Sequence, residues 1–339
     1  MGDSAAIEAP CPWHRDTLQQ VLARRDAGRL PHALLFTGPA GIGKGRLAES
    51  LLQVLLCESP RGGLACGRCH GCHMSTAGTH PDLCRVMPAE PGKAIRIDQV
   101  RELMEFASRT PQYGGHRVAL LMPAQAMNRN AQNALLKTLE EPGADTLLIL
   151  VCDQLSALLP TVRSRCQQQT LPVPAASVAE PWVAGQLAVP ERAAALLAAA
   201  GGAPLKAVAL EQTDWFGERA ALVQALARTG AGQASPVVIA RQFAGYDTQA
   251  LLEACYGWTR QALRLSQGAT SVVDPELARA MPQLARLPAT RLLDFAAAVS
   301  RARRLFLSGA NPNRDLLLEQ LLLILAGHVT AEHAAALEI

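Results

Sequence analysis

The chain has 339 residues, 49% of them hydrophobic and 18% charged, with a formal net charge of +3. That length accommodates two or three domains of ordinary globular composition, and so small a positive balance is no electrostatic signature of nucleic-acid binding. Aromatic residues make up 4%, which argues against stacking on single strands as the main activity.

No apolar run approaches the roughly 20 residues of a membrane span; Leu147 to Cys152 and Leu321 to Ala326 are the most apolar and fall far short. Met1-Gly-Asp-Ser-Ala-Ala6 lacks the basic-then-apolar order of a secretory leader. A cytoplasmic protein with no membrane partner is expected.

The first strand, Ala33-Leu-Leu-Phe-Thr37, reads as buried and leads into Gly38-Pro-Ala-Gly-Ile-Gly-Lys44, with a helix predicted from Arg46 to Leu56. Strand, glycine loop and helix in that order form a phosphate-binding loop. Gly38, Gly41 and Gly43 let backbone N–H groups approach phosphates, and Lys44 supplies the charge. The hydroxyl that holds Mg²⁺ is missing, because the next residue is Gly45.

Nine cysteines follow no disulfide logic in a reducing compartment. Cys57, Cys66, Cys69 and Cys72 form C-x8-C-x2-C-x2-C, with Gly62, Gly63, Gly67 and Gly71 giving tight turns. Four thiolates suit a closed, structural Zn²⁺ site; His70 and His73 stand near enough in sequence to replace one ligand, and an iron–sulfur cluster is a second option for the same residues. Cys11, Cys84, Cys152, Cys166 and Cys255 are scattered and read as small buried hydrophobes.

Further strands are predicted at Leu83 to Met87, Val118 to Met122, Thr146 to Cys152 and Gln168 to Leu171. An amphipathic helix from Ile97 to Ala107, opened by Asp98, lies between the second and third. Alternation of this kind means a parallel sheet with helices on both faces. After Leu171-Pro-Val-Pro174 the chain turns Ala- and Leu-rich, and Gly201-Gly-Ala-Pro204 separates a short helical block from a longer one. The basic cluster Arg301-Ala-Arg303-Arg304 reads as a solvated helix face.

In a P-loop ATPase an Asp, usually with a Glu, ends the third strand, to hold Mg²⁺ and orient water. Here that strand runs into Met122-Pro-Ala-Gln125 without a carboxylate. With both protein ligands of the metal gone, charge on a transferring phosphoryl group goes largely unneutralised, so efficient ATP hydrolysis is not expected.

The run from Gly28 to Pro39, the four-cysteine insertion, Gly78-Thr-His-Pro-Asp82, Asn133 to Pro142 and Arg163-Ser-Arg-Cys166 together resemble the AAA+ clamp-loader family, and within it the delta-prime subunits of bacterial DNA polymerase III. The match is dense in the first half and rests on length and helical character beyond Leu171. The resemblance implies an α/β P-loop (AAA+) domain over 1–171 with the zinc-binding insertion at 57–72. It further implies a helical lid over 172–212 and an all-α collar that mediates oligomerisation over 213–339. It implies assembly with gamma/tau and delta subunits into a ring that opens the beta sliding clamp and places it on primed DNA, as part of the polymerase III holoenzyme.

It also gives Arg165 a role, as an arginine finger projecting into the ATP site of the adjacent subunit, where a guanidinium meets γ-phosphate oxygens. The position that senses γ-phosphate falls near Cys152-Asp153-Gln154, and Lys206 takes the place of a lid arginine that touches nucleotide. Lys44 is left able to hold ATP without turnover. On Asn133 to Glu141, Ala134, Leu135, Thr138 and Leu139 fit a helix against the sheet. Glu140 and Glu141 point about 100° apart, too far for a catalytic pair, and read as structural; Lys137 faces DNA or a neighbouring subunit. The expected function is a non-catalytic clamp-loader subunit acting in trans. Two rivals are an intrinsically active ATPase of gamma/tau type and a zinc-dependent nucleic-acid-binding module, the latter weakened because Arg61 and Arg68 stand nearly alone beside the cysteines.

Overall fold

Hydrophobic runs too short for helices form the centre of the first of two compact units. A computed structural model describes residues 9–90, 92–113, 115–269, 274–307 and 312–329; the reading of Met1 to Ala6 lies outside them. Five strands, β1 (Ala33–Thr37), β2 (Leu83–Val86), β3 (Arg117–Leu121), β4 (Thr146–Cys152) and β5 (Gln167–Thr170), form one parallel sheet in the order β2-β3-β4-β1-β5. Every residue of β1, β3 and β4 is buried, as strands covered on both faces require. β5, Gln167-Gln-Gln-Thr170, is polar and largely exposed, which suits an edge strand.

Alternation divides the sheet's side chains between two cores. Leu34, Phe36, Val118, Leu120, Leu147, Ile149 and Val151 meet α1 (Arg15–Asp26) and α2 (Lys44–Leu55) on one face. Leu35, Ala119, Leu121, Leu148 and Leu150 meet α4 (Ile97–Ala107) and α5 (Arg129–Glu140) on the other; α3 (His70–Ala77) belongs to the cysteine insertion. The strands lie within a residue of expectation. α4 starts one residue before Asp98, where the Gln99 side chain accepts a hydrogen bond from the Arg96 N–H, so Asp98 lies in the first turn and does not cap. α5 begins four residues ahead of Asn133, at Arg129, because Asn128 caps it by accepting from the Ala131 N–H at 2.8 Å.

The chain divides into two compact units. The first comprises residues up to Val183 with 202–206; the second comprises 184–201 and residues from Ala207 onward. The expected lid segment, 172–212, is thus shared between them. α6 (Pro160–Ser164) lies in the first unit, and α7 (Ala176–Ala184) lies there up to Val183. The second contains α8 (Ala193–Ala199), most of α9 (Pro204–Glu211), and α10 (Asp214–Gly230), α11 (Pro236–Phe243), α12 (Thr248–Ser266), α13 (Met281–Ala285), α14 (Ala289–Leu307) and α15 (Arg314–Ala326). In it α12 packs on α14 and α14 on α15, while α11 and α10 also meet α15. Arg219, 2% exposed, is held by Asp274 at 2.6 Å and Glu276 at 2.7 Å, the pairing that a buried guanidinium requires. No single helix among the described residues is long and apolar enough to cross a membrane.

Candidate functional site

The phosphate loop lies beyond the carboxyl end of β1, with the ends of β4 and β5 on either side. Gly43 adopts a left-handed conformation (φ 93°) and caps α2. Gly38 has φ 148°, and a Cβ there would lie 2.2 Å from the Leu171 carbonyl oxygen, so only glycine fits. The loop is covered on two sides. The Leu205 N–H donates to the Gly41 carbonyl at 2.9 Å, and a Cβ on Gly41 would meet Lys206 Cβ at 2.7 Å, which brings Lys206 to the loop apex. The Trp13 indole N–H donates to the Ile42 carbonyl at 2.8 Å, and the Trp13 ring meets Trp182 edge-on at 5.3 Å.

Lys44 is 3% exposed. Its Nζ donates to the Pro39 carbonyl at 2.5 Å and pairs with Asp153 Oδ1 at 2.5 Å. Asp153 follows β4 and is fastened by Gln125: its N–H donates to Gln125 Oε1 at 3.0 Å, and Gln125 Nε2 donates to Asp153 Oδ2 at 3.2 Å. The segment expected to sense γ-phosphate therefore delivers a carboxylate onto the loop lysine. His14 is buried beside Gly43; burial first, then the Lys44 charge, lowers it to about 4.

The magnesium side differs from a working ATPase in two further ways. A Cβ on Gly45 would lie 2.9 Å from Met122 Sδ, so a thioether stands against the place of the missing hydroxyl. The end of β3 supplies no carboxylate, since Leu121 is followed by Met122, Pro123, Ala124 and Gln125. Mg²⁺ requires hard oxygen ligands, and a thioether is not one.

The four cysteines come together as expected. Their sulfurs all lie within 4.8 Å of one another, with Cys66 to Cys72 and Cys57 to Cys69 at 3.9 Å. A tetrahedral Zn²⁺–S₄ centre with Zn–S near 2.3 Å has S–S edges of about 3.8 Å, so the set fits a closed four-coordinate ion. The Cys66 and Cys72 N–H groups donate to Cys57 Sγ at 3.2 Å and Cys69 Sγ at 3.4 Å, orienting the sulfurs. Burial pushes the Cys72 and Cys57 thiols up; the Arg68 N–H, with the Ser59 side chain second, pulls Cys66 down to about 5. A Cβ on Gly71 would strike the Leu56 carbonyl oxygen at 2.3 Å, so this glycine allows close backbone approach. His70 and His73 are outside the ligand set, the His70 ring facing Tyr113 at 6.3 Å. Of the other cysteines, Cys84 is only half-buried, a correction to its reading as a core residue; Cys11, Cys152, Cys166 and Cys255 are buried.

Arg165 caps the C-terminus of α6, with Cys166 between it and β5. Val162 and Cys166 are buried on either side of it, while Arg165 is 35% exposed and pairs with Glu140 Oε1 at 2.5 Å; its Nη1 donates to the Thr161 carbonyl at 3.0 Å. Glu140, read from sequence as merely structural, is thus the partner of the candidate finger. A residue that sequence reasoning passed over holds this region. Buried Gln132 accepts from the Leu159 N–H at 2.7 Å and donates to the Met127 and Ala157 carbonyls, both at 3.1 Å, fixing the start of α6.

Two family models match separate parts of the chain. A family model described as DNA polymerase III, delta subunit matches residues 13–175, and one described as DNA polymerase III, delta subunit, C terminal matches 213–327. DNA polymerase III subunit delta' of Pseudomonas aeruginosa is 39% identical over 320 residues, 92% of this chain and 95% of that one. The Escherichia coli subunit delta' is 34% identical over 315 residues, 92% and 94% of the two chains. On these matches over most of its length, the chain belongs to the DNA polymerase III delta' subunit family.

Proposed function

We propose that the chain is a non-catalytic subunit of the DNA polymerase III clamp loader. In this reading it assembles with gamma/tau and delta subunits in the cytoplasm, helps place the beta sliding clamp on primed DNA, and lends Arg165 to the ATP site of a neighbour. The observation that carries the reading is the retention of a folded phosphate loop without either protein ligand of its metal: Gly45 faces Met122 Sδ, and β3 runs into Met122-Pro-Ala-Gln125 without a carboxylate. Loss of metal-borne charge stabilisation slows phosphoryl transfer by orders of magnitude, which disfavours the gamma/tau-type alternative. A one-third-exposed arginine held by one exposed carboxylate is free to exchange that partner for a phosphate at little cost.

Residues 1–171 form the AAA+ part of this proposal, 172–212 the lid and 213–339 the collar through which the subunits assemble. Gly38, Gly41, Gly43 and Lys44 keep the shape of a nucleotide loop without turning over ATP. Zn²⁺ held by Cys57, Cys66, Cys69 and Cys72 has a structural role, since four sulfurs leave no position for water. One equivalent of zinc per chain is expected by elemental analysis, lost when Cys66 and Cys69 are both changed to Ser; a native, folded chain without metal would contradict the site.

Assembly is tested by mixing the purified chain with gamma/tau and delta subunits and weighing the product by native mass spectrometry. A hetero-oligomer containing this chain is expected. Components that remain separate over the micromolar range would overturn the proposed role.

A further inference from the structure

The Lys44 ammonium lies inside the loop that would receive a phosphate, yet its charge is already matched. We propose that Asp153 is a tethered anion that occupies the phosphate-binding cation of this chain, and that this carboxylate competes there with phosphate and nucleotides. The proposal concerns the subunit by itself and holds whether or not Arg165 acts in trans.

Three observations carry it. Lys44 is 3% exposed and has two acceptors at 2.5 Å, the Pro39 carbonyl and Asp153 Oδ1, so an arriving phosphate must displace the carboxylate or share the ammonium with it. Sharing places two anions side by side, which costs several kcal/mol in recognition generally. Displacement is resisted by Gln125, which holds Asp153 through both its backbone N–H and Oδ2. In an ordinary P-loop a carboxylate near the lysine has another place to go, the metal that arrives with the nucleotide. Here no such exchange is offered, because Gly45 carries no hydroxyl and Met122 Sδ stands 2.9 Å from where its Cβ would be.

The backbone of the loop itself remains suitable. Gly38, Gly41 and Gly43 keep positive φ angles, and Lys44 opens α2, whose N-terminal N–H groups favour an anion. Asp153→Asn preserves the shape and the contact to Gln125 while removing the competing charge. Inorganic phosphate and ADP, both without Mg²⁺, are the probes, with binding to the full chain followed by titration calorimetry.

Asp153→Asn is expected to bind both probes at least about tenfold more tightly than the unchanged chain, and the gain should vanish in Asp153→Asn/Lys44→Ala. Equal affinity in the unchanged chain and a folded Asp153→Asn, or a gain that survives loss of Lys44, would overturn the proposal. Should Asp153→Asn fail to fold, Gln125→Ala decides: freeing the carboxylate is expected to raise phosphate affinity several-fold, and unchanged affinity would overturn the proposal equally.

Discussion

The two ends of the neighbouring strands β1 and β5 handle charge in opposite ways. At the carboxyl end, after Thr37, Lys44 is buried, neutralised by Asp153 and covered by residues 205–206 and Trp13. At the amino end, where Gln167 of β5 pairs with Leu34, Arg165 is one-third exposed and held by one carboxylate that is itself half-exposed. A cation locked into its own chain stabilises that chain; a cation held weakly at the surface is available to another. In the proposed function the loop serves this protein as structure, and Arg165 is the charge offered to a neighbour.

Substitutions should reveal this asymmetry as a difference in stability. Gly38→Ala drives a Cβ to 2.2 Å from the Leu171 carbonyl oxygen at a φ of 148°, and a loss of about 3 kcal/mol or more is expected in urea unfolding. A loss below about 1 kcal/mol would mean the loop is looser than its contacts imply. The next effect is on pH dependence. The folded value of His14 is lowered from 6.5 to about 4, so the unfolded chain binds the extra proton between those values. Stability is then full above pH 6.5 and declines as pH falls toward 4, by up to about 3 kcal/mol. His14→Gln should flatten that part of the profile; an unchanged slope would remove His14 as its cause. Glu140→Ala at the other end should change stability by less than about 1 kcal/mol, and a larger loss would make the Arg165 pair structural.

Much of this was legible in the sequence because it depended on local patterns. The strands followed from continuous apolar runs such as Thr146 to Cys152, and the cysteine cluster from spacing and glycines. The loop's missing hydroxyl was visible as Gly45. What remained hidden depended on register. Asp153 reaches Lys44 only because Cys152 pairs with Thr37 across β4 and β1, and no local pattern links residues so far apart in the chain. Glu140 meets Arg165 and Gln132 fixes Leu159 through the packing of α5 on α6. The place of Met122 beside Gly45 is likewise set by the way β3 leaves the sheet. Sequence identified which chemistry was missing, and tertiary structure supplied the groups standing in its place.

The central claim, that this chain activates a neighbour through Arg165 and hydrolyses nothing itself, is tested most directly by DNA- and clamp-stimulated ATP hydrolysis in a ring reconstituted with gamma/tau and delta. The comparison is between the unchanged chain, its Arg165→Ala variant and the chain alone. An arginine finger contributes about 10³-fold or more to turnover at the site it enters, so the variant ring should assemble normally yet lose that site's hydrolysis, while the lone chain stays silent. Full activity in the variant ring, or Mg²⁺-dependent turnover by the lone chain, would contradict the account.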